Sequence, residues 1–107
     1  MTELTERQLL QLEAPDTLFL FIYTPFCGTC AAARRMLHIL EQMRPETPLY
    51  EANINFLPEL TRRWEIASVP CLLKLKRGQP ADRLYAMKSI DHLYRFLFPG
   101  ADNTKHV

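Results

Sequence analysis

Cys27 and Cys30 stand two residues apart in Cys27-Gly28-Thr29-Cys30, and a third thiol, Cys71, follows much later in the chain. Two thiols at that spacing on the first turn of a helix can approach closely enough to bridge, and the unpaired amide groups there favour a thiolate. This is the chemistry of a dithiol that opens and closes. Cys27 belongs at the mouth of the turn and Cys30 one turn deeper, so Cys27 is expected to attack and Cys30 to resolve. Zinc sites use the same spacing, but a closed site needs four ligands, and His38, His92 and His106 stand at no comparable spacing from the thiols. Idle reduced thiols, or a metal bridging two chains, stay open beside the favoured redox pair.

The elements that must position the pair lie on either side of it. Thr17 to Tyr23, rich in aromatic and branched residues and free of Gly and Pro, reads as a central strand buried on both faces. Thr24-Pro25-Phe26 breaks that run and delivers Cys27 to a helix start. The helix runs to Met43, with small Ala31, Ala32 and Ala33 for close approach to a sheet, bulk at Met36, Leu37, Ile39, Leu40 and Met43, and Arg34, Arg35, Glu41 and Gln42 in water.

Upstream, Thr2 to Glu13 has a helical pattern, with Leu4, Leu9 and Leu12 on one stripe, a cap at Thr2 or Thr5, and an end at Ala14-Pro15-Asp16. Downstream, Leu49 to Ile54 predicts a strand, Pro58 opens a short helix to Trp64, and Trp64 and Ile66 are expected in the core. Ala67-Ser68-Val69-Pro70 is a loop into a strand over Cys71 to Lys76. A turn at Arg77-Gly78-Gln79-Pro80 leads to a hairpin partner at about Asp82 to Met87. Ser89 caps a last helix with Ile90, Leu93, Phe96 and Leu97 on its apolar side; Pro99-Gly100 ends it, and the tail from Ala101 is expected to be loose. The sum is an α/β domain over residues 1–99, a mixed four-stranded sheet flanked by helices with an additional helix at the N-terminus.

The totals narrow the function. A chain of 107 residues supports one core. A net charge of +1, with no basic stripe interleaved with aromatics, argues against nucleic acid. The first residues have no signal-peptide pattern and no run reaches the length of a membrane span, which places the protein in the cytosol and away from membranes. Structural disulfides are rare in that compartment, and three cysteines cannot pair completely.

Four features together make the sequence similar to the thioredoxin family: the Cys27–Cys30 motif after an apolar strand, aromatic Phe26 before it, Val69-Pro70 before the next strand, and Gly78 in the hairpin. The similarity extends over about residues 3–99. It implies a thioredoxin-like fold, a cis peptide before Pro70, and protein-disulfide reduction with no cofactor beyond the Cys27–Cys30 couple. Phe26, Gly28, Thr29, Val69 and Pro70 would then meet the substrate, Val69 through its backbone. Disulfide-containing proteins are the implied substrates, with a thioredoxin reductase or a low-molecular-weight thiol as electron donor. Two other functions stay open: a small-thiol-linked oxidoreductase acting on mixed disulfides, and a non-enzymatic redox sensor or partner-binding module.

The chain departs from the family pattern at four places. Gly28-Thr29 replaces Gly-Pro; Phe21, a core filler, stands where thioredoxins bury an acid; Glu51 replaces a lysine on the neighbouring strand; and Cys71 replaces a threonine. Glu51 is therefore a candidate proton acceptor for Cys30, and Cys71 a candidate third thiol near Cys27, weighed against an ordinary small core residue.

Overall fold

The computed structural model describes residues 1–12 and 17–100. The expected end of the first helix at Ala14-Pro15-Asp16 and the tail from Ala101 fall outside those residues. Strand β2 (Thr17–Tyr23) forms where expected, at the centre of a sheet ordered β1-β3-β2-β4-β5. Its parallel neighbour is β3 (Leu49–Asn53) and its antiparallel neighbour is β4 (Cys71–Lys76). Alternate side chains of β2 enter two cores, as the pleat requires. Leu18, Leu20 and Ile22 pack with Leu9, Leu60, Trp64 and Ile66 on one face. Phe19 and Phe21 pack with Cys30, Ala33, Leu37 and Leu40 of α2 (Gly28–Met43), and with Leu93 and Leu97 of α4 (Ile90–Leu97), on the other.

The sheet has five strands where the sequence predicts four. The extra strand is β1 (Thr2–Glu3), which pairs in parallel with β3 through Thr2↔Tyr50 and Glu3↔Glu51. Two polar residues carry no strand periodicity, and their pairing with β3 is a tertiary event. The helix α1 is accordingly shorter than predicted, Glu6–Leu10, and starts at Thr5 with a complete capping box closed by Gln8.

The hairpin partner also sits earlier than predicted: β5 is Gln79–Leu84. Arg77 and Gly78 both take positive φ, 52° and 78°, and make a two-residue turn whose twist suits a hairpin. Pro80 is then a strand residue, opposite Leu75, next to an irregularity between Lys74 and Leu75. An edge strand tolerates a residue with no amide donor. Elsewhere, Asn53 caps a single 3-10 turn over Ile54–Phe56, Pro58 opens α3 (Pro58–Arg63), and Trp64 and Ile66 are buried as expected. On α2 the bulk is divided differently from the prediction: Leu37 and Leu40 are buried, whereas Ile39 and Met43 are exposed, because the single stripe facing the sheet is filled by Cys30, Ala33, Leu37 and Leu40.

Phe21 is fully buried and stacks on Tyr23 with ring centroids 6.0 Å apart. Phe21→Ala is expected to lower stability by about 3–5 kcal/mol through lost burial and an unfilled cavity, measured by denaturant unfolding.

Candidate active site

Strand β2 ends at Tyr23, and Cys27 follows in extended conformation at the N-cap of α2. Its sulfur takes the place of the oxygen that usually caps a helix. Cys27 Sγ accepts a hydrogen bond from the Cys30 amide at 3.1 Å and lies 3.2 Å from Thr29 Oγ1. Hydrogen bonding from the Cys30 thiol, then from Thr29, with further help from the amides of both residues, holds the Cys27 thiol below its ordinary pKa. Cys30 is buried, and burial, followed by its bond to Cys27, pushes its thiol up to about 11. The two thiols are therefore shifted in opposite directions, the partly exposed one down and the buried one up.

The other predicted substrate contacts frame this turn. Gly28 and Thr29 are exposed on the first turn of α2. Phe26 is 100% exposed, so it packs on none of the described residues. The Val69–Pro70 peptide is cis, and Val69 packs against the same core as Cys27 and Cys30. Side chains of β5 and its continuation secure the segment before it. Arg83 Nη1 donates to the carbonyls of Trp64 at 2.8 Å and Glu65 at 3.2 Å, and the Tyr85 hydroxyl accepts from the Ala67 amide at 3.1 Å.

Cys71 is not brought to the pair. It stands opposite Ile22 in the β2–β4 register and shares Ile22's face, in the core that faces α1 and α3, whereas Cys30 belongs to the core under α2. Directly paired residues on neighbouring strands point to the same side of a sheet. Cys71 is fully buried, and burial pushes its thiol up to about 11. The bland reading, a small core residue at a strand start, fits this position.

Glu51 lies beside Phe21 in the β2–β3 register, and its carboxylate meets Arg34 of α2. Oε1 is 2.9 Å from Arg34 Nη2 but off the line of an N–H, which makes the contact an ion pair rather than an aligned hydrogen bond. Burial raises the Glu51 pKa, and Arg34 opposes that rise. Arg34 stands one turn beyond Cys30 on the same helix, and its charge acts to lower the Cys30 pKa. Arg34 is thus the group common to Glu51 and Cys30: it keeps part of the solvent exposure predicted for it, and its charge acts on a neighbouring thiol as expected. Its guanidinium also lies 4.5 Å from the centroid of Tyr23, whose hydroxyl donates to Glu3 Oε1 at 3.0 Å.

Tyr23 and Glu3 were not singled out in the sequence; Arg34 was, as part of an Arg34-Arg35 face whose positive field favours a nearby thiolate. Tyr23, Thr24, Pro25, Cys27, Cys30 and Ala31, with Arg34 and Arg35, line an open cleft of about 470 Å³ beside the sulfurs. Among the described residues no cluster of three or more His, Cys, Asp or Glu could hold a metal ion.

Two outcomes follow from this geometry. In the native reduced protein, iodoacetamide should label Cys27 fastest, with a pH midpoint below that of an ordinary thiol, and should leave Cys71 unlabelled until denaturant is added; peptide mass spectrometry reads all three sites. Glu51→Gln should leave Arg34 uncompensated and so lower the Cys30 pKa. That shift is measurable by NMR titration of the labelled Cys30 methylene; an unchanged Cys30 titration would separate Glu51 from the site.

No family model matches the chain. Over 107 residues, the whole of both chains, it is 37% identical to the thioredoxin-like protein YusE of Bacillus subtilis strain 168. It is 25% identical over 84 residues to a thioredoxin of Chlamydia caviae, covering 78% of this chain and 82% of that one. Its fold superposes on thioredoxin f2 of Chlamydomonas reinhardtii with a TM-score of 0.80 at 19% identity, over 92% of this chain and 94% of that one. With a Cys27–Cys30 pair at the start of α2, a cis peptide before Pro70 and a full-length relative at this identity, the chain belongs to the thioredoxin family.

Proposed function

We propose that this thioredoxin-family oxidoreductase reduces protein disulfides, with Cys27 as attacking thiolate and Cys30 as resolving thiol. The observation that carries the reading is the asymmetry of the pair. Cys27 is partly exposed and hydrogen-bonded as an acceptor, whereas Cys30 is buried with its thiol held near pKa 11. In the first step the Cys27 thiolate attacks one sulfur of the substrate disulfide. The substrate S–S bond breaks, a mixed disulfide forms, and the departing thiolate takes a proton from solvent. In the second step Cys30 gives up its proton and attacks Cys27 Sγ. The mixed disulfide breaks, the second substrate thiolate leaves and is protonated, and the protein is left with a Cys27–Cys30 disulfide.

Exposed Phe26 would give the substrate an apolar lip, Gly28 and Thr29 would leave the approach to Cys27 open, and the backbone of Val69, before Pro70, would pair with an extended substrate segment. A reductase or a low-molecular-weight thiol would then restore the dithiol. Cytosolic action is part of this proposal, since three cysteines without a complete pairing suit a reducing compartment. Among the described residues no helix is long and apolar enough to cross a membrane.

With insulin as substrate and dithiothreitol as donor, the reduced protein should accelerate disulfide cleavage. Cys30→Ser should accumulate a mixed disulfide through Cys27, visible by non-reducing mass spectrometry, and Cys27→Ser should neither cleave nor trap. A Cys30→Ser variant that traps nothing, or a Cys27→Ser variant that still cleaves, would overturn the assignment of roles.

A further inference from the structure

The cleft beside the dithiol has a charge pattern that disulfide exchange itself does not require. Its lining contains both sulfurs and two guanidinium groups and no carboxylate. Two acids contact lining residues without being part of the lining, and both are engaged: Glu51 pairs with Arg34, and Glu3 accepts from the Tyr23 hydroxyl. Arg35 is different. It is exposed, lines the cleft, and has no ion-pair partner among the described residues. A volume of about 470 Å³ is comparable to ligand clefts and large enough for a side chain next to a reacting disulfide.

We infer that this cleft is a carboxylate subsite, so that the protein prefers disulfides flanked by an acidic group. The inference rests on the disulfide-reduction reading and deepens it by naming a substrate class. Arg35 supplies the charge that draws the carboxylate in, and Arg34, fixed by Glu51 and by the face of Tyr23, forms the wall against which it sits. The covalent step is unchanged. The subsite acts on encounter and on placement of the substrate sulfur over Cys27.

The test uses prereduced full-length protein in single turnover against three disulfide peptides alike except for Glu, Gln or Lys beside the cysteine. At low ionic strength the Glu peptide should react roughly threefold to tenfold faster than the Lys peptide, and molar salt should erase most of the difference. Arg35→Glu should invert the Glu to Lys ratio, and Arg35→Ala should flatten it. The ratio is the readout because a change in Cys27 reactivity alters both rates alike. Equal rates for the three peptides, or an Arg35→Glu protein with the wild-type ratio, would overturn this inference alone. A protein that reduces none of the three would overturn the disulfide-reduction reading and the subsite with it. A mixed disulfide of mercaptopropionate with the Gln peptide's cysteine, run beside its mercaptoethanol counterpart, extends the comparison to small acidic thiols; a faster reaction of the mercaptopropionate adduct supports the subsite and an equal one counts against it.

Discussion

Everything in this molecule depends on β2 being buried on both faces. A strand whose alternate side chains enter separate cores cannot shift by one residue without exchanging the two sets. That fixed register sets where the strand ends, and the strand end sets where the chain turns into α2. Ala33, Leu37 and Leu40 then clamp the helix against Phe19 and Phe21. The position of Cys30 over the sheet is therefore a product of core packing, and the exposure of Cys27 follows from its place before the first helical residue.

The same register sorts the three thiols. Odd-numbered β2 residues share a core with Cys30, while even-numbered Ile22 shares a core with Cys71. The sheet itself therefore lies between the redox pair and the third cysteine. Phe21 contributes from the other direction. An aromatic ring fills the space under the pair, and the carboxylate of Glu51 is placed on the adjacent strand and held by Arg34. Charge beneath this dithiol is balanced from the side, between a helix residue and a neighbouring strand.

Much of this was legible in the sequence, and the exceptions have physical reasons. The central strand, the dithiol helix start, the Pro58 helix opening and the Ser89 cap are local signals, carried by residues within a few positions of one another. Strand β1 was not legible because Thr2 and Glu3 acquire strand geometry only by pairing with Tyr50 and Glu51. The start of β5 was misplaced because Pro80 reads as a turn residue until its edge position is known. The side to which Cys71 points is set by cross-strand register, which a loop's proximity in sequence does not reveal. Arg34 looked like a solvated helix residue because its two partners, Tyr23 and Glu51, lie on separate strands of the sheet.

The sulfur cap of α2 has a thermodynamic consequence. The Cys30 amide donates to Cys27 Sγ in the dithiol form, so the start of a 16-residue helix is secured by an atom that changes its bonding when the pair oxidises. A cap contributes about 0.5–2 kcal/mol to a helix. Whatever part of that is lost when the sulfur enters a disulfide is stability the reduced protein has and the oxidised one lacks. By closure of the cycle linking folding to oxidation, that difference favours the dithiol and moves the couple toward the oxidising side; for a two-electron couple about 1.4 kcal/mol corresponds to about 30 mV. The strength of this helix cap is thereby one contribution to the redox poise of the pair.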